Sequence, residues 1–192
     1  MKSTSDSSNT LILSQFLERY LSEYDIRCEI IKLTDHNIKP GTRTNMDPDD
    51  WPFILAKILA SDIVIFATPV WWGIQSSLIQ RVIERLDELH DEIMDTGKSR
   101  LTNKVAGIVV TGDSDGAEHI IGNLTNFFIA LGLTIPPFGT LTVLWSGFSK
   151  NSNKTKEEKL KYLEDNYIST AKKATKNLTF MAGLLKKTPY PD

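Results

Sequence analysis

Short apolar segments alternate along this chain with longer amphipathic ones. Residues 62–68 and 105–111 are continuously apolar in their interior and rich in β-branched side chains. Runs this short and this apolar are typical of strands covered by helices on both faces. Residues 140–145 supply a further strand pattern, and Arg27–Leu33 alternates apolar and polar positions in the manner of another. The sequence therefore predicts a sheet with strands at these four places.

Between these segments, apolar residues recur at helical spacing. The predicted helices begin near Ser8 to Thr10, open at Pro48 to Trp51, follow Ser76 or Ser77, run from about Ile120 to Gly132, and run from Lys156 to about Leu185. We expect residues 35–47, 91–104 and 146–154 to be irregular. Strands and helices that alternate in this way build βαβ units with right-handed crossovers. We expect one α/β domain over residues 1–192, in which residues 150–192 form a C-terminal helix and tail.

Three polar loops are expected to meet at the carboxyl edge of this sheet, where open α/β sheets bind ligands. The first is the hydroxyl-rich start, residues 5–10; the others are residues 68–73 and 111–116. A helix start can bind an anion, two indoles can stack on a planar ligand, and a glycine-rich turn exposes backbone amides. Each loop also has a plain alternative: a frayed but capped terminus, a buried indole, or an ordinary surface turn. Their convergence favours a ligand site.

Charge and composition exclude several classes of function. Twenty-two basic and 24 acidic residues give a net charge of -2, which argues against nucleic-acid or anionic-membrane binding. A single cysteine, Cys28, forms no internal disulfide. No apolar run approaches the ~20 residues that span a bilayer, so we expect a cytoplasmic protein with no membrane partner.

Side chains for acid–base catalysis are scarce in the sequence. His36, His90 and His119 are not connected by the order of a nucleophilic triad or by metal-ligand spacing. Asp113 and Asp115 fit a turn better than a metal site. We therefore expect no catalytic side chain and no metal. A site with anion-binding, stacking and backbone groups suits a cofactor that supplies its own reactivity.

Several motifs together resemble the flavodoxin-like NADPH-dependent FMN reductase family. They are Thr68-Pro69-Val70-Trp71-Trp72-Gly73, the pair Ser76-Ser77, Arg81-Val82-Ile83-Glu84-Arg85, the helix start Ser8-Asn9-Thr10, and Val109-Val110-Thr111-Gly112 with Gly116-Ala117-Glu118. The resemblance covers about residues 5 to 145. It implies a flavodoxin-like three-layer α/β/α sandwich with a parallel sheet of strand order 2-1-3-4-5.

The resemblance also implies a cofactor and its site. Ser5, Ser7, Asn9 and Thr10 would hold the FMN phosphate. Pro69, Val70, Trp71, Trp72 and Gly73 would wall one side of the isoalloxazine, and Thr111, Gly112, Asp113 and Gly116 would contact its pyrimidine edge. The implied activity is hydride transfer from NAD(P)H through flavin N5 to a quinone, a free flavin or a similar small acceptor, in a homodimer or homotetramer.

Two features depart from the family pattern. Family members begin with a buried apolar strand ahead of the phosphate loop, whereas this sequence starts inside that loop. We therefore expect the first strand to be missing, either because the start was assigned too late, which we favour, or because a partner or a rearrangement fills the gap. Asp6 and Asp113 place acids in loops expected to meet a phosphate and a flavin edge. Two alternatives to a reductase therefore stay open: a flavodoxin-type electron carrier without turnover of its own, and a flavin-free interaction module.

Overall fold

A parallel three-stranded sheet forms the centre of the computed structural model, which describes residues 8–112, 115–145 and 154–191. The strands are β1, Ile63–Pro69; β2, Val105–Gly112; and β3, Thr140–Leu144. They lie in the order β1-β2-β3, with Ile63 opposite Val105 and Ile108 opposite Thr140. All three occur where the sequence predicted them.

Six helices are described around the sheet. They are α1, Asn9–Ser22; α2, Trp51–Ala60; α3, Ser77–Arg85; α4, Asp87–Thr96; α5, Ala117–Ala130; and α6, Lys156–Lys187. Hydroxyl side chains cap three of them, because Ser8, Ser76 and Thr155 each accept a bond from a first-turn amide. The predicted caps at Ser8 and Ser76 are confirmed. None of the described helices is long and apolar enough to cross a membrane.

Helices pack on both faces of the sheet. On one face, apolar residues of α1 and α6 bury Val109, Leu141 and Val143. On the other, residues of α2, α3 and α5 bury Val64, Phe66 and neighbouring positions of β2. The side chains of β2 from Val105 to Thr111 are buried throughout, as expected for a central strand. The three-layer α/β/α arrangement of a flavodoxin-like fold is therefore confirmed.

The prediction of a strand at Arg27–Leu33 is wrong. Residues 26–32 belong to no strand, and Leu33–Asp35 form one turn of 3-10 helix. A strand exists only where a neighbouring backbone supplies hydrogen bonds. In the described part of the chain no strand lies beside this segment, so its apolar alternation has no ladder to join.

The expectation that residues 91–104 are irregular is wrong in its first part. Residues 91–96 continue α4, which ends at Gly97 in the left-handed conformation with φ 72°. Leu89 and Ile93 recur at i, i+4 and pack against the core, which outweighs the polar composition. The second helix begins at Trp51 rather than Pro48, and residues 146–153 lie outside the described residues.

Candidate functional site

The start of α1 meets the end of β2 through two hydroxyl groups. Thr10 Oγ1 and Thr111 Oγ1 are 2.8 Å apart and share a hydrogen bond. The backbone of Thr111 is also joined to the chain leaving β1, since Val70 N donates to Thr111 O over 2.7 Å. Parallel strands end at the same edge of a sheet, so Thr111 links two of the predicted loops there.

Beyond β1 the chain makes a tight turn that displays both indoles. Trp71 N donates to Ile74 O over 2.8 Å, and Ile74 N donates back to Trp71 O over 3.1 Å. The two central residues, Trp72 and Gly73, have φ values of 51° and 79°, which is the pattern of a type I′ turn. Trp72 is 99% exposed and Trp71 43% exposed. The alternative in which one of these indoles is buried is wrong.

The third loop is in contact with this turn. A β-carbon built on Gly116 would lie 2.6 Å from the Cα atom of Gly73, so only glycine fits. Gly116 also has φ 120°, a conformation that side chains disfavour. At the end of β2, a β-carbon on Gly112 would lie 2.9 Å from Cγ2 of Val70. The Gly116 turn and the Gly73 turn therefore meet backbone to backbone.

Two polar residues, Thr68 of the family motif and Gln75, which the sequence did not single out, hold the tryptophan turn in place. Thr68 is fully buried; its Oγ1 accepts from Ser76 N over 3.0 Å and donates to Pro69 O over 3.0 Å. Gln75 is 5% exposed, and its Nε2 donates to Gln80 Oε1 while its Oε1 accepts from Asn123 Nδ2. These bonds fix the turn to α3 and α5. No periodicity marks Gln75, because its role depends on partners in two helices, one of which, Asn123, is distant in sequence.

At the start of α1, an amide oxygen is left without a partner. Asn9 Oδ1 is buried and makes no hydrogen bond with the described residues. Amide oxygen and nitrogen are assigned from the surrounding bonds, so rotation of this group would aim a donor at the same place. The free backbone amides in the first turn of α1 point outward from the start of the helix, as in any helix. An anion at this end can accept hydrogen bonds from them. A phosphate group fits these donors.

Three of the predicted site residues, Ser5, Ser7 and Asp113, lie outside the described residues. His36 stacks on Phe53 and lies 3.7 Å from Asp50, in the loop before α2. Among residues 8–112, 115–145 and 154–191, no group of three His, Cys, Asp or Glu side chains could hold a metal ion.

One buried ion pair positions the loop between residues 38 and 49. Arg85 forms a salt bridge with Asp49, and both side chains are at most 1% exposed. The same guanidinium donates to the carbonyls of Lys39 and Thr44. Burial raises the pKa of Asp49, but bonds from Trp51 N, Arg85 and Lys39 N outweigh it, and the net pKa lies below its usual value. The carboxylate of Asp49 is therefore ionised, and its negative charge compensates the positive charge of Arg85.

Comparison with known proteins identifies the family. Residues 2–144 match the NADPH-dependent FMN reductase family. The chain is 29% identical over 178 residues to 8-demethyl-8-aminoriboflavin-5'-phosphate synthase of Streptomyces davaonensis, covering 86% of this chain and 67% of that protein. It is 30% identical over 131 residues to the iron-sulfur flavoprotein MJ1083 of Methanocaldococcus jannaschii, covering 63% of this chain and 65% of that protein.

A solved structure matches the fold as a whole. The crystal structure of RosB with bound 8-demethyl-8-formylriboflavin-5'-phosphate superposes with a TM-score of 0.81 at 24% identity. The match covers 98% of this chain and 78% of that one. This chain thus spans about two thirds of the length of the curated flavin relatives named above.

The protein belongs to the NADPH-dependent FMN reductase family, a class of flavodoxin-like flavoenzymes. Membership assigns FMN as cofactor and NAD(P)H as electron donor. The described residues fit that cofactor on structural grounds. The free amides in the first turn of α1 suit a phosphate, and the close approach of Gly73 and Gly116 suits the flat edge of a ring.

Proposed function

We propose that this protein is an FMN-dependent oxidoreductase that passes a hydride from NAD(P)H through flavin N5 to a quinone, a free flavin or a similar small acceptor. The observation that carries the proposal is the meeting of three loops at one sheet edge. Thr10 bonds to Thr111, Thr111 bonds to Val70, and Gly73 contacts Gly116. Bound there, FMN supplies the hydride-accepting and hydride-donating chemistry.

In this proposal each loop has a separate task. Ser5, Ser7, Asn9 and Thr10 bind the phosphate. Pro69, Val70, Trp71, Trp72 and Gly73 wall one side of the isoalloxazine, and Thr111, Gly112, Asp113 and Gly116 contact its pyrimidine edge. The exposed Trp72 supplies a flat apolar face. In this proposal no protein acid or base takes part, because the flavin supplies the reactivity.

The first experiment is an absorbance spectrum of the purified chain with and without added FMN. We expect the protein to take up FMN and become yellow, and to oxidise NADH or NADPH faster when a benzoquinone or free riboflavin is added. A chain that stays colourless at excess FMN would contradict the proposal. Oxidation of NAD(P)H without any added reductase separates an enzyme from an electron carrier. Light scattering tests the expected homodimer or homotetramer.

A second candidate is an enzyme whose substrate is the flavin itself. The relative from Streptomyces davaonensis is named for synthesis of an amino-substituted riboflavin phosphate, and its similarity continues over 178 residues. Mass spectrometry of the flavin recovered after turnover distinguishes the two candidates. Unchanged FMN supports the reductase, whereas a change in the mass of the ring system supports flavin modification.

A further inference from the structure

The tryptophan turn, Trp71–Ile74, exposes apolar side chains to solvent. Trp72 is 99% exposed, and Trp71 and Ile74 are 43% and 51% exposed. Trp72 also has φ 51°, a backbone conformation that asparagine or glycine adopts more readily than a bulky side chain. Neither burial nor backbone preference therefore explains an indole at this position. A large apolar side chain that is held at the surface in a disfavoured conformation indicates contact with a ligand.

The backbone of this turn is held in place from two directions. Gln75, which follows the turn, is buried and is bonded to side chains of α3 and α5. At Gly73 the backbone contacts Gly116 too closely for a side chain. Trp72 immediately precedes Gly73, so its indole is attached next to the junction at which we propose that the flavin ring binds. A ligand that stacks on this indole meets a preorganised backbone, and little order has to be created on binding.

The described parts of the three loops contain no lysine or arginine. Residues 8–17 and 68–80 are uncharged. The residues described between 111 and 123 carry two acids, Asp115 and Glu118, and both are exposed. The described surface around the tryptophan turn is therefore apolar, with acidic groups beside it.

The first basic side chains after the turn bind to a different loop. Arg81 Nη1 donates to Ile38 O over 2.7 Å, and Arg85 is buried in its pair with Asp49. Both guanidinium groups thus hold the loop before α2. His119 is exposed next to Glu118 and is neutral in the formal charge count at pH 7. Among the described residues of the three loops, no lysine or arginine attracts an anion to the turn, and two carboxylates repel one.

We propose that the acceptor of this enzyme is a planar, uncharged ring system of the quinone class that stacks on Trp72, and that Asp115 and Glu118 disfavour acceptors with an anionic ring. The inference rests on the proposed reductase function and narrows its acceptor. An uncharged ring gains stacking on the indole without losing the solvation of a charge. A sulfonated ring would give up water for a surface whose described side chains include no lysine or arginine.

The hydride donor is compatible with the same surface. The phosphates of NAD(P)H are separated from its uncharged dihydronicotinamide ring by a ribose, so only that ring has to reach the tryptophan turn. In the overall reaction the quinone takes up one hydride, and one proton from solvent, to become a hydroquinone, while NAD(P)H becomes NAD(P)⁺.

A matched pair of quinones tests the charge preference. They are 2-(hydroxymethyl)anthraquinone and anthraquinone-2-sulfonate, which share one ring system and differ in charge. Their affinities for the FMN-loaded protein are measured by equilibrium dialysis without NAD(P)H, at low salt and about pH 8, where an ordinary histidine is neutral. We expect the uncharged quinone to bind about tenfold more tightly, and the difference to shrink when salt screens the carboxylates. Equal affinities would overturn the proposal.

Two pairs of variants test the location. Trp72→Lys and Trp72→Gln both remove the indole, but only the first adds a positive charge, so the sulfonate should bind about tenfold more tightly to Trp72→Lys. Asp115→Asn combined with Glu118→Gln should lower the preference for the uncharged quinone about threefold. Asp95→Asn combined with Asp165→Asn removes the same number of charges from exposed positions of α4 and α6, and should leave the preference unchanged.

Equal affinity of Trp72→Lys and Trp72→Gln for the sulfonate would show that Trp72 does not border the acceptor, and would reject the proposal. An equal fall in preference in the two double variants would reject it as well. The reductase function is tested separately, by FMN uptake and by NAD(P)H oxidation with benzoquinone. If either is absent, the reductase function fails and this inference fails with it. If both are present and the two quinones bind equally, only the acceptor inference fails.

Discussion

Gly116 lies so close to Gly73 that a β-carbon on Gly116 would come within 2.6 Å of the Cα atom of Gly73. The first residue belongs to the turn that enters α5, and the second to the turn that follows β1. The two loops are therefore held at a separation that excludes a side chain. Any flavin bound across them would contact backbone from both.

Gly116→Ala tests this contact. The added methyl group meets backbone that cannot rotate away, and φ 120° is disfavoured for alanine, so we expect a loss of about 1–3 kcal/mol in the free energy of unfolding. FMN affinity should fall more than stability alone explains, by about tenfold or more. Chemical denaturation and FMN titration measure the two effects.

Gly122→Ala is the matched control. Gly122 lies in α5, and a β-carbon there would meet nothing within 4 Å. Helix propensity then predicts a gain of up to about 1 kcal/mol, with FMN binding unchanged. Equal FMN affinity in Gly116→Ala and Gly122→Ala would show that Gly116 is not part of the FMN site.

Trp72→Asn separates conformational strain from binding. Trp72 has φ 51°, which asparagine adopts more readily than tryptophan, and its side chain is 99% exposed. We expect the free energy of unfolding to stay equal or rise by a few tenths of a kcal/mol, while affinity for FMN or for the acceptor falls about fivefold or more through loss of stacking. Titration with FMN and the KM for a quinone report the binding effects. Unaltered values for both would exclude Trp72 from ligand contact.

Thr10→Val tests the hydroxyl link between α1 and β2. The change keeps the shape of the side chain but leaves Thr111 Oγ1, in a residue that is 2% exposed, without this partner. We expect a destabilisation of about 1–2 kcal/mol and a weaker FMN phosphate site. Thr179→Val removes a hydroxyl bond within α6 and serves as the control. Comparison of FMN with riboflavin, which lacks the phosphate, shows whether the lost affinity belongs to the phosphate: the deficit should appear with FMN alone.

Asp49→Asn tests the buried ion pair with Arg85. A buried charge that loses its partner costs about 3–5 kcal/mol, so thermal unfolding should occur well below the wild-type temperature. Glu92→Gln, in the exposed pair with Arg100, should cost less than about 1 kcal/mol. A similar small effect at Asp49 would show that the pair contributes little to holding the loop on α3.

The same pair predicts a dependence on pH. The pKa of Asp49 is lower in the folded protein than in the unfolded chain, so its stabilising contribution is complete above the unfolded pKa of about 3.9. That contribution is lost as pH falls through the folded pKa. The difference in unfolding free energy between wild type and Asp49→Asn should therefore shrink in acid. A difference that stays constant from neutral pH to pH ~2 would contradict the assignment.

Much of the fold follows from local sequence. Strands β1 and β2 are recognisable because they are short, apolar and β-branched, and α1 and α3 because serines cap an apolar stripe. The prediction of a strand at Arg27–Leu33 was wrong for a non-local reason. A strand needs a neighbouring strand to bond with, and the presence of that neighbour is a property of the assembled sheet. The prediction that residues 91–96 are irregular was wrong because two apolar contacts of α4 outweigh the polar composition of these residues.

The site was less accessible to sequence reasoning than the fold. The tryptophan turn stood out by composition, but the exposure of both indoles depends on the type I′ geometry and on the anchoring by Gln75 and Thr68. Gln75 carried no signal, because its partners Gln80 and Asn123 belong to two different helices.

By itself the sequence determined the positions of the three described strands, the family motifs and the places where polar loops leave the sheet, because hydrophobic periodicity, capping and turn chemistry are local properties. Only the tertiary structure decided that Thr10 reaches Thr111 and that Gly73 leaves no room for a side chain on Gly116. These relationships join residues that are far apart along the chain. Their formation depends on the packing of whole elements, which no local pattern encodes.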